Sequence, residues 1–225
     1  MVVKVGHRGA AGHEPENTLR SFRRAMELGV DMVELDVQLC GTGELVVIHD
    51  GTMDRTTDGT GEVAEITLDE LRALDAGMGE RIPTLREVID LAAGKMGINI
   101  ELKGPGTAEP ALRHIEAAVD EGWEITDFQA SSFHQEELSA MRELSEDVRT
   151  GVLYALDDDG VMNFAERIGA YSLNPHHRAV NPELVSEAHR RGLKVYTWTV
   201  NDPADIARMK GLGVDGVISD YPDRI

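Results

Sequence analysis

Two histidines, an arginine and a pair of carboxylates are concentrated in the first quarter of the chain, at His7-Arg8-Gly9, Glu34-Leu35-Asp36 and His49-Asp50. Cleaving a phosphodiester requires one group to activate the attacking oxygen and another to protonate the leaving alcohol, and imidazole can do either near neutral pH. His7 and His49 are the candidates for that pair. Glu34 and Asp36 are two residues apart, so on a strand they share a face at a spacing of roughly 6 to 7 Å, with Val33, Leu35 and Val37 on the other face. Carboxylates in a protein interior are costly without a compensating cation, and an all-oxygen ligand set suits Mg2+ or Ca2+ better than zinc. Glu101 repeats the alternation further on, between Asn99 and Lys103, with Ile98, Ile100 and Leu102 facing away, and is the third candidate ligand. The planar fork of Arg8 and the point charge of Lys103 suit nonbridging phosphate oxygens. Trp198 could present a flat wall to a small polyol, although a lone tryptophan more often packs into a core or rim.

The elements that must position these residues alternate along the chain. Strand-like runs at Val2 to His7 and Met32 to Leu39 flank a helical period at Thr18 to Leu28. Further strands are expected at Ile98 to Lys103, Phe128 to Phe133, Val148 to Leu153, Tyr171 to Asn174, Lys194 to Trp198 and Gly216 to Ser219. Helices are expected at Leu85 to Ala93, Ala108 to Glu121, Gln135 to Leu144, Gly160 to Ile168, Pro182 to Arg190 and Pro203 to Lys210, with Gly29, Gly122, Gly169, Gly192 and Gly211 as terminators. Parallel strands joined by helices in this number predict a (β/α)8 TIM barrel, with active-site residues at the C-terminal strand ends. An open doubly wound sheet would carry a glycine-rich phosphate loop after its first strand, and none is present. Residues 50–83 break the rhythm and predict a small insertion after the second strand region, with a short strand at Leu45 to Ile48 and a helical turn at Leu68 to Leu74. His114 and His189 fall on predicted helices, where packing is the expected role; His13, His134, His176 and His177 fall in loops near the rim without a partner pattern. The final strand is followed by only a few residues, so no full closing helix is expected, and pairing with a second copy is one way to cover the gap.

Composition sets the remaining bounds. The 225 residues and 41% hydrophobic content suit one domain, residues 1–225, and the aromatic content of 4% requires a core of aliphatic residues and methionine. A formal charge of -19 argues against nonspecific binding to nucleic acid or to an anionic membrane, so a phosphate must be held by local cations. Lysine occurs only at positions 4, 95, 103, 194 and 210; the acidic, lysine-poor composition fits either a salt-rich cytoplasm or an ordinary acidic cytosolic protein. Cys40 is the single cysteine, which excludes an internal disulfide and a cysteine-rich zinc site, and no apolar run approaches a membrane span. A cytoplasmic protein acting on a small molecule is the expectation.

The ordered motifs resemble the glycerophosphodiester phosphodiesterase family almost from end to end. They are Gly6-His7-Arg8-Gly9, Glu16-Asn17-Thr18, Glu34-Leu35-Asp36-Val37, His49-Asp50 with Asp54-Arg55-Thr56-Thr57 and Gly59-Thr60-Gly61, Ile82-Pro83-Thr84-Leu85, Ile100-Glu101-Leu102-Lys103, Trp198-Thr199-Val200-Asn201 and Gly213-Val214-Asp215-Gly216-Val217-Ile218-Ser219-Asp220-Tyr221-Pro222. The resemblance implies hydrolysis of glycerophosphodiesters, such as glycerophosphocholine or glycerophosphoethanolamine, to an alcohol and sn-glycerol 3-phosphate. It implies His7 and His49 as acid and base, Glu34, Asp36 and Glu101 as ligands of Mg2+ or Ca2+, Arg8 and Lys103 as phosphate contacts, and Trp198 as a wall for the glycerol. Direct attack by water and a two-step route through a cyclic phosphate are both compatible with these residues. A phospholipase working on intact lipid would use the same groups but needs an apolar or basic surface, and a noncatalytic metal- or phosphate-binding barrel has no use for both histidines.

Overall fold

The structure is a computed structural model that describes residues 1–155 and 160–225. In chain order its elements are β1 (Val3–Gly6), α1 (Leu19–Glu27), β2 (Met32–Leu39), β3 (Leu45–Val47), α2 (Leu68–Arg72), α3 (Leu85–Ala92), β4 (Gly97–Leu102), α4 (Ala108–Asp120), β5 (Phe128–Ser132), α5 (Gln135–Leu144), β6 (Arg149–Tyr154), α6 (Val161–Arg167), β7 (Ser172–Pro175), α7 (Pro182–Arg190), β8 (Lys194–Thr197), α8 (Pro203–Leu212) and β9 (Gly216–Ser219). β1 pairs in parallel with both β2 and β9, which closes the sheet into an eight-stranded parallel barrel; β3 is added antiparallel on β2. This is the expected (β/α)8 fold.

Alternation along each strand separates the two faces. Val33, Leu35 and Val37 of β2 and Ile98, Ile100 and Leu102 of β4 point outward and pack under the helices with Phe22, Leu85, Val88, Ile89, Ala111 and Ile115. Glu34, Asp36, Asn99 and Glu101 therefore point inward. β2 and β4 run in register with Glu34 opposite Asn99 and Asp36 opposite Glu101. Adjacent strands lie about 4.8 Å apart, so this register alone brings three carboxylates together. Below them Val5, Met32, Tyr196 and Ile218 form a small apolar cluster. Across the barrel Gln129 Nε2 donates to Ser172 Oγ (3.2 Å), which donates to Asn174 Oδ1 (2.6 Å).

The segment from His7 to Thr18 is bolted to α1. Ser21 Oγ accepts from the Ala10 amide (2.8 Å) and donates to the Arg8 carbonyl (2.8 Å), while Thr18 caps the helix by accepting from the Ser21 amide (3.2 Å). Arg8 (φ 49°) and Asn17 (φ 57°) are held in the left-handed region, and so is Gly9 (φ 86°). A Cβ on Gly9 would lie 2.4 Å from Ser21 Oγ and 2.9 Å from the Phe22 nitrogen. Gly9→Ala is therefore expected to cost more than about 1 kcal/mol, read as a fall in melting temperature of at least about 2 °C. Thermal unfolding followed by circular dichroism checks it.

Residues 50–83 form the insertion between β3 and α3, and its Met53, Val63, Leu71, Ala76 and Ile82 pack in one cluster with Cys40, Val46 and Ile48. α2 carries a full capping box, with Thr67 and Glu70 each accepting from the other's backbone amide. Three expectations shift. β1 stops at Gly6, because the left-handed Arg8 turns the chain, so His7 lies one residue beyond the strand. The β3 strand likewise ends at Val47, two residues before His49. α8 continues through Gly211 to Leu212, whose side chain packs on the apolar shell of the second half, and Gly213 (φ 82°) terminates it instead. After β9 a single 3-10 turn, Pro222–Arg224, follows, and Ile225 is buried against that shell. Among the described residues no helix is long and apolar enough to cross a membrane.

Candidate active site

The C-terminal strand ends open into a pocket lined by His7, Arg8, Glu34, His49, Asn99, Glu101, Lys103, Ser131, Phe133, Leu153, Trp198, Thr199 and Ile218. Seven of the eight residues singled out from the sequence line it, and the eighth, Asp36, is bonded to the lining: it lies 3.3 Å from Arg8 Nε and 3.5 Å from Lys103 Nζ.

Glu34, Asp36 and Glu101 are buried, and each places a carboxylate oxygen within 4.8 Å of the others. Among the described residues Glu34 Oε1 and Asp36 Oδ1 have no hydrogen-bond donor and are buried, which is the expected condition of oxygens that hold a cation. With only protein charges present, burial and the neighbouring Asp36 push Glu34 up to about 7 and Glu101 up to about 8. Asp36 goes the other way: burial opposes its charge, but Arg8 and Lys103 outweigh it and hold the carboxyl below its ordinary value. One fixed carboxylate and two poised ones, all oxygen donors, fit a divalent cation.

Each imidazole is oriented by its own carboxylate. His7 Nδ1–H donates to Asp220 Oδ1 (2.6 Å), and Asp220 is fixed by Asn201 Nδ2 (2.6 Å). His49 Nδ1–H donates to Asp50 Oδ1 (2.6 Å), while its Nε2 accepts from Lys103 Nζ (2.9 Å). A carboxylate on Nδ1 leaves Nε2 as the working nitrogen in both rings. The two are driven in opposite directions. Burial depresses His7, but Asp220 and Glu34 more than offset it and raise the ring above its ordinary value; burial prevails at His49, helped by Arg8 and Lys103, and lowers it. Environments that separate two titrating groups are what an acid and base pair requires.

Lys103 also donates to Glu101 Oε1 (2.7 Å), so one ammonium joins the carboxylate trio to His49. Trp198 donates its Nε1–H to the Asn174 carbonyl (2.8 Å), which fixes the ring against the mouth, edge-to-face with Phe133 (centroids 5.4 Å). Phe133, Asn99, Ser131 and Asp220 were given no role from the sequence. Asp220 lies in the Ser219-Asp220-Tyr221-Pro222 motif, but nothing in that motif points to a histidine at position 7. Of the other histidines, His189 Nε2 pairs with Asp215 Oδ2 (2.7 Å) and His13 Nε2 with Asp223 Oδ1 (2.7 Å). His176 stacks edge-to-face on Trp198 (5.1 Å) beside His177. None of these lines the pocket.

A closed parallel barrel whose C-terminal mouth holds a buried carboxylate trio, two carboxylate-oriented imidazoles and two cationic side chains, Arg8 and Lys103, has the donor set of a barrel hydrolase suited to a phosphate ester. The chain belongs to the glycerophosphoryl diester phosphodiesterase family, whose model matches residues 7–224. It is 42% identical over 234 residues to the glycerophosphodiester phosphodiesterase of Caldanaerobacter subterraneus subsp. tengcongensis, covering 98% of this chain and 95% of that protein. It is 33% identical over 247 residues to a glycerophosphodiester phosphodiesterase of Bacillus subtilis, covering 99% and 84%. Among solved structures, a phosphodiesterase of Oleispira antarctica in complex with the product sn-glycerol-3-phosphate superposes with a TM-score of 0.91 at 33% identity, covering 100% of this chain and 95% of that one. The chain is accordingly an enzyme with glycerophosphodiester phosphodiesterase activity.

Proposed function

We propose that this enzyme depends on a divalent cation, Mg2+ or Ca2+, and hydrolyses soluble glycerophosphodiesters such as glycerophosphocholine and glycerophosphoethanolamine to an alcohol and sn-glycerol 3-phosphate. Residues 1–225 act as one catalytic domain, in the cytoplasm. The observation that carries the reading is the convergence in one pocket of cation-ready oxygens and two imidazoles whose Nδ1 atoms are already committed to carboxylates. The product bound to the Oleispira antarctica enzyme supports the same substrate class here.

Glu34, Asp36 and Glu101 would hold the cation, which when bound would supply Lewis-acid polarisation of the phosphate. Arg8 and Lys103 hold the remaining phosphate oxygens and stabilise the charge that grows on them. His7 and His49 take and return protons through Nε2. Trp198 closes one side as a flat wall for the glycerol carbons.

The test is release of glycerol 3-phosphate from each diester by purified protein, first with chelator and then with Mg2+ or Ca2+ restored. Release that vanishes with chelator and returns with the cation is the expected result. Release unaffected by exhaustive chelation overturns the cation assignment, and activity confined to phospholipid vesicles overturns the soluble substrate.

A further inference from the structure

The motifs Glu16-Asn17-Thr18 and Asp54-Arg55-Thr56-Thr57 have no part in the chemistry just described, yet Glu16 and Arg55 meet beside Arg8 at the pocket edge. Glu16 lies in the loop between β1 and α1, and Arg55 lies in the insertion. Glu16 Oε1 accepts from Arg8 Nη1 (2.7 Å). The same carboxylate receives a two-pronged grip from Arg55, Nη1 to Oε2 (2.8 Å) and Nη2 to Oε1 (2.8 Å). Arg55 Nε in turn donates to Asp50 Oδ2 (2.7 Å), and the other oxygen of Asp50 accepts from His49 Nδ1 (2.6 Å). An unbroken chain of charge-assisted hydrogen bonds therefore runs from Arg8 through Glu16, Arg55 and Asp50 to His49.

We propose that Glu16 is a positioning residue that holds the phosphate-binding fork of Arg8 and, through Arg55 and Asp50, the ring of His49 at a fixed separation. The inference rests on the roles given above to Arg8 and His49. A forked arginine fixes orientation as well as distance, so Arg55 sets the Asp50 carboxylate in one plane and Asp50 sets the ring tautomer. Glu16 also decides where Arg8 points. Among the described residues, the side-chain carboxylate nearest to the Arg8 guanidinium apart from Glu16 is Asp36, whose Oδ2 is 3.3 Å from Nε. Without Glu16 the fork is drawn onto the trio, away from the phosphate. The two cations that share Glu16 would also repel, loosening Arg55 and with it Asp50. The insertion thus contributes Asp50 and Arg55 to the barrel mouth, and Glu16 is where the two parts of the rim are tied.

The test compares Glu16→Gln, Arg55→Met and the double variant with wild type and His49→Ala, by kcat, KM and the 15N shifts of the His49 ring. Each single change is expected to lower kcat ~10- to ~100-fold, the range that a misplacement near 1 Å costs, while KM moves less than ~3-fold. The double variant is expected to be no more than ~3-fold worse than the poorer single, because both break one network. Glu16→Asp, which keeps the charge, recovers part of kcat, and the ring shifts in both single variants move from one tautomer toward a mixture. Either single retaining kcat within ~2-fold, losses that multiply in the double, or an unmoved ring tautomer overturns the proposal. Turnover retained by His49→Ala instead overturns the role of His49, and the ring shifts then still decide whether Glu16 orients it. Should Glu16→Gln fail to fold, Arg55→Met decides by the same readouts, since its exposed side chain lies outside the core.

Discussion

His49→Ala and His7→Ala are each expected to lower the turnover of glycerophosphocholine by at least ~100-fold with the fold intact, the contribution of a well-placed acid or base. The geometry explains why the loss falls on chemistry and not on stability. Removing the His49 ring leaves Asp50 still gripped by Arg55 (2.7 Å) and Lys103 still bonded to Glu101 (2.7 Å). Removing the His7 ring leaves Asp220 still accepting from Asn201 Nδ2 (2.6 Å). Neither change strips a buried charge of its last partner, which is the event that destabilises by several kcal/mol. His189→Ala is the contrasting control. Its ring pairs with Asp215 outside the pocket, so turnover is expected to stay within ~2-fold of wild type, as for an ordinary surface substitution. The measurement is kcat and KM for the three variants beside their melting curves. A His7 or His49 variant that turns over near the wild-type rate removes that residue from the mechanism.

The parts of this site that the sequence makes legible are those written in short-range patterns. Glu34 and Asp36 stand two apart among Val33, Leu35 and Val37, and Glu101 stands in the same alternation; period two on a strand fixes their common face without further information. The same outward β-branched and aliphatic runs mark the eight barrel strands to within one or two residues. What stays hidden depends on closure of the barrel. Asp220 reaches His7 across 213 residues of sequence because β9 is hydrogen-bonded to β1, a pairing that no local pattern encodes. Glu16 and Arg55 meet across 39 residues, between a loop and an insertion, with only their charges as a clue. Local signals also mislead where tertiary packing overrides them. Gly211 is the residue type of a helix end, yet the helix absorbs it at a cost of about 1 kcal/mol and carries on to pack Leu212, partly buried, against the apolar shell.

Removal of the divalent cation is expected to take turnover to background and to lower stability in a pH-dependent way, and both follow from the trio. In the metal-free fold Glu34 titrates at about 7 and Glu101 at about 8, against 4.5 for an unstrained glutamate. From about pH 4.5 to about pH 8 the folded state therefore binds more protons than the unfolded chain, so its stability falls as pH rises through that window. The penalty is that of ionising buried carboxylates beside Asp36, and it is what a cation relieves. Above the window both glutamates must ionise, cation binding needs no proton to be displaced, and affinity is greatest; near pH 5 protons compete for the same oxygens. Mg2+ or Ca2+ is thus expected to raise the melting temperature more at pH 8 than at pH 5.5. At a concentration 100-fold above Kd the gain is about 2.7 kcal/mol, or about 5 to 10 °C for a chain of this size. Asp36→Asn should abolish both the thermal gain and the turnover, since it removes the carboxylate that remains ionised across the whole range. Differential scanning calorimetry at the two pH values, with chelator and with each cation, measures the effect. Melting temperatures indifferent to cation at pH 8 would remove Glu34, Asp36 and Glu101 as ligands, whatever the fate of activity.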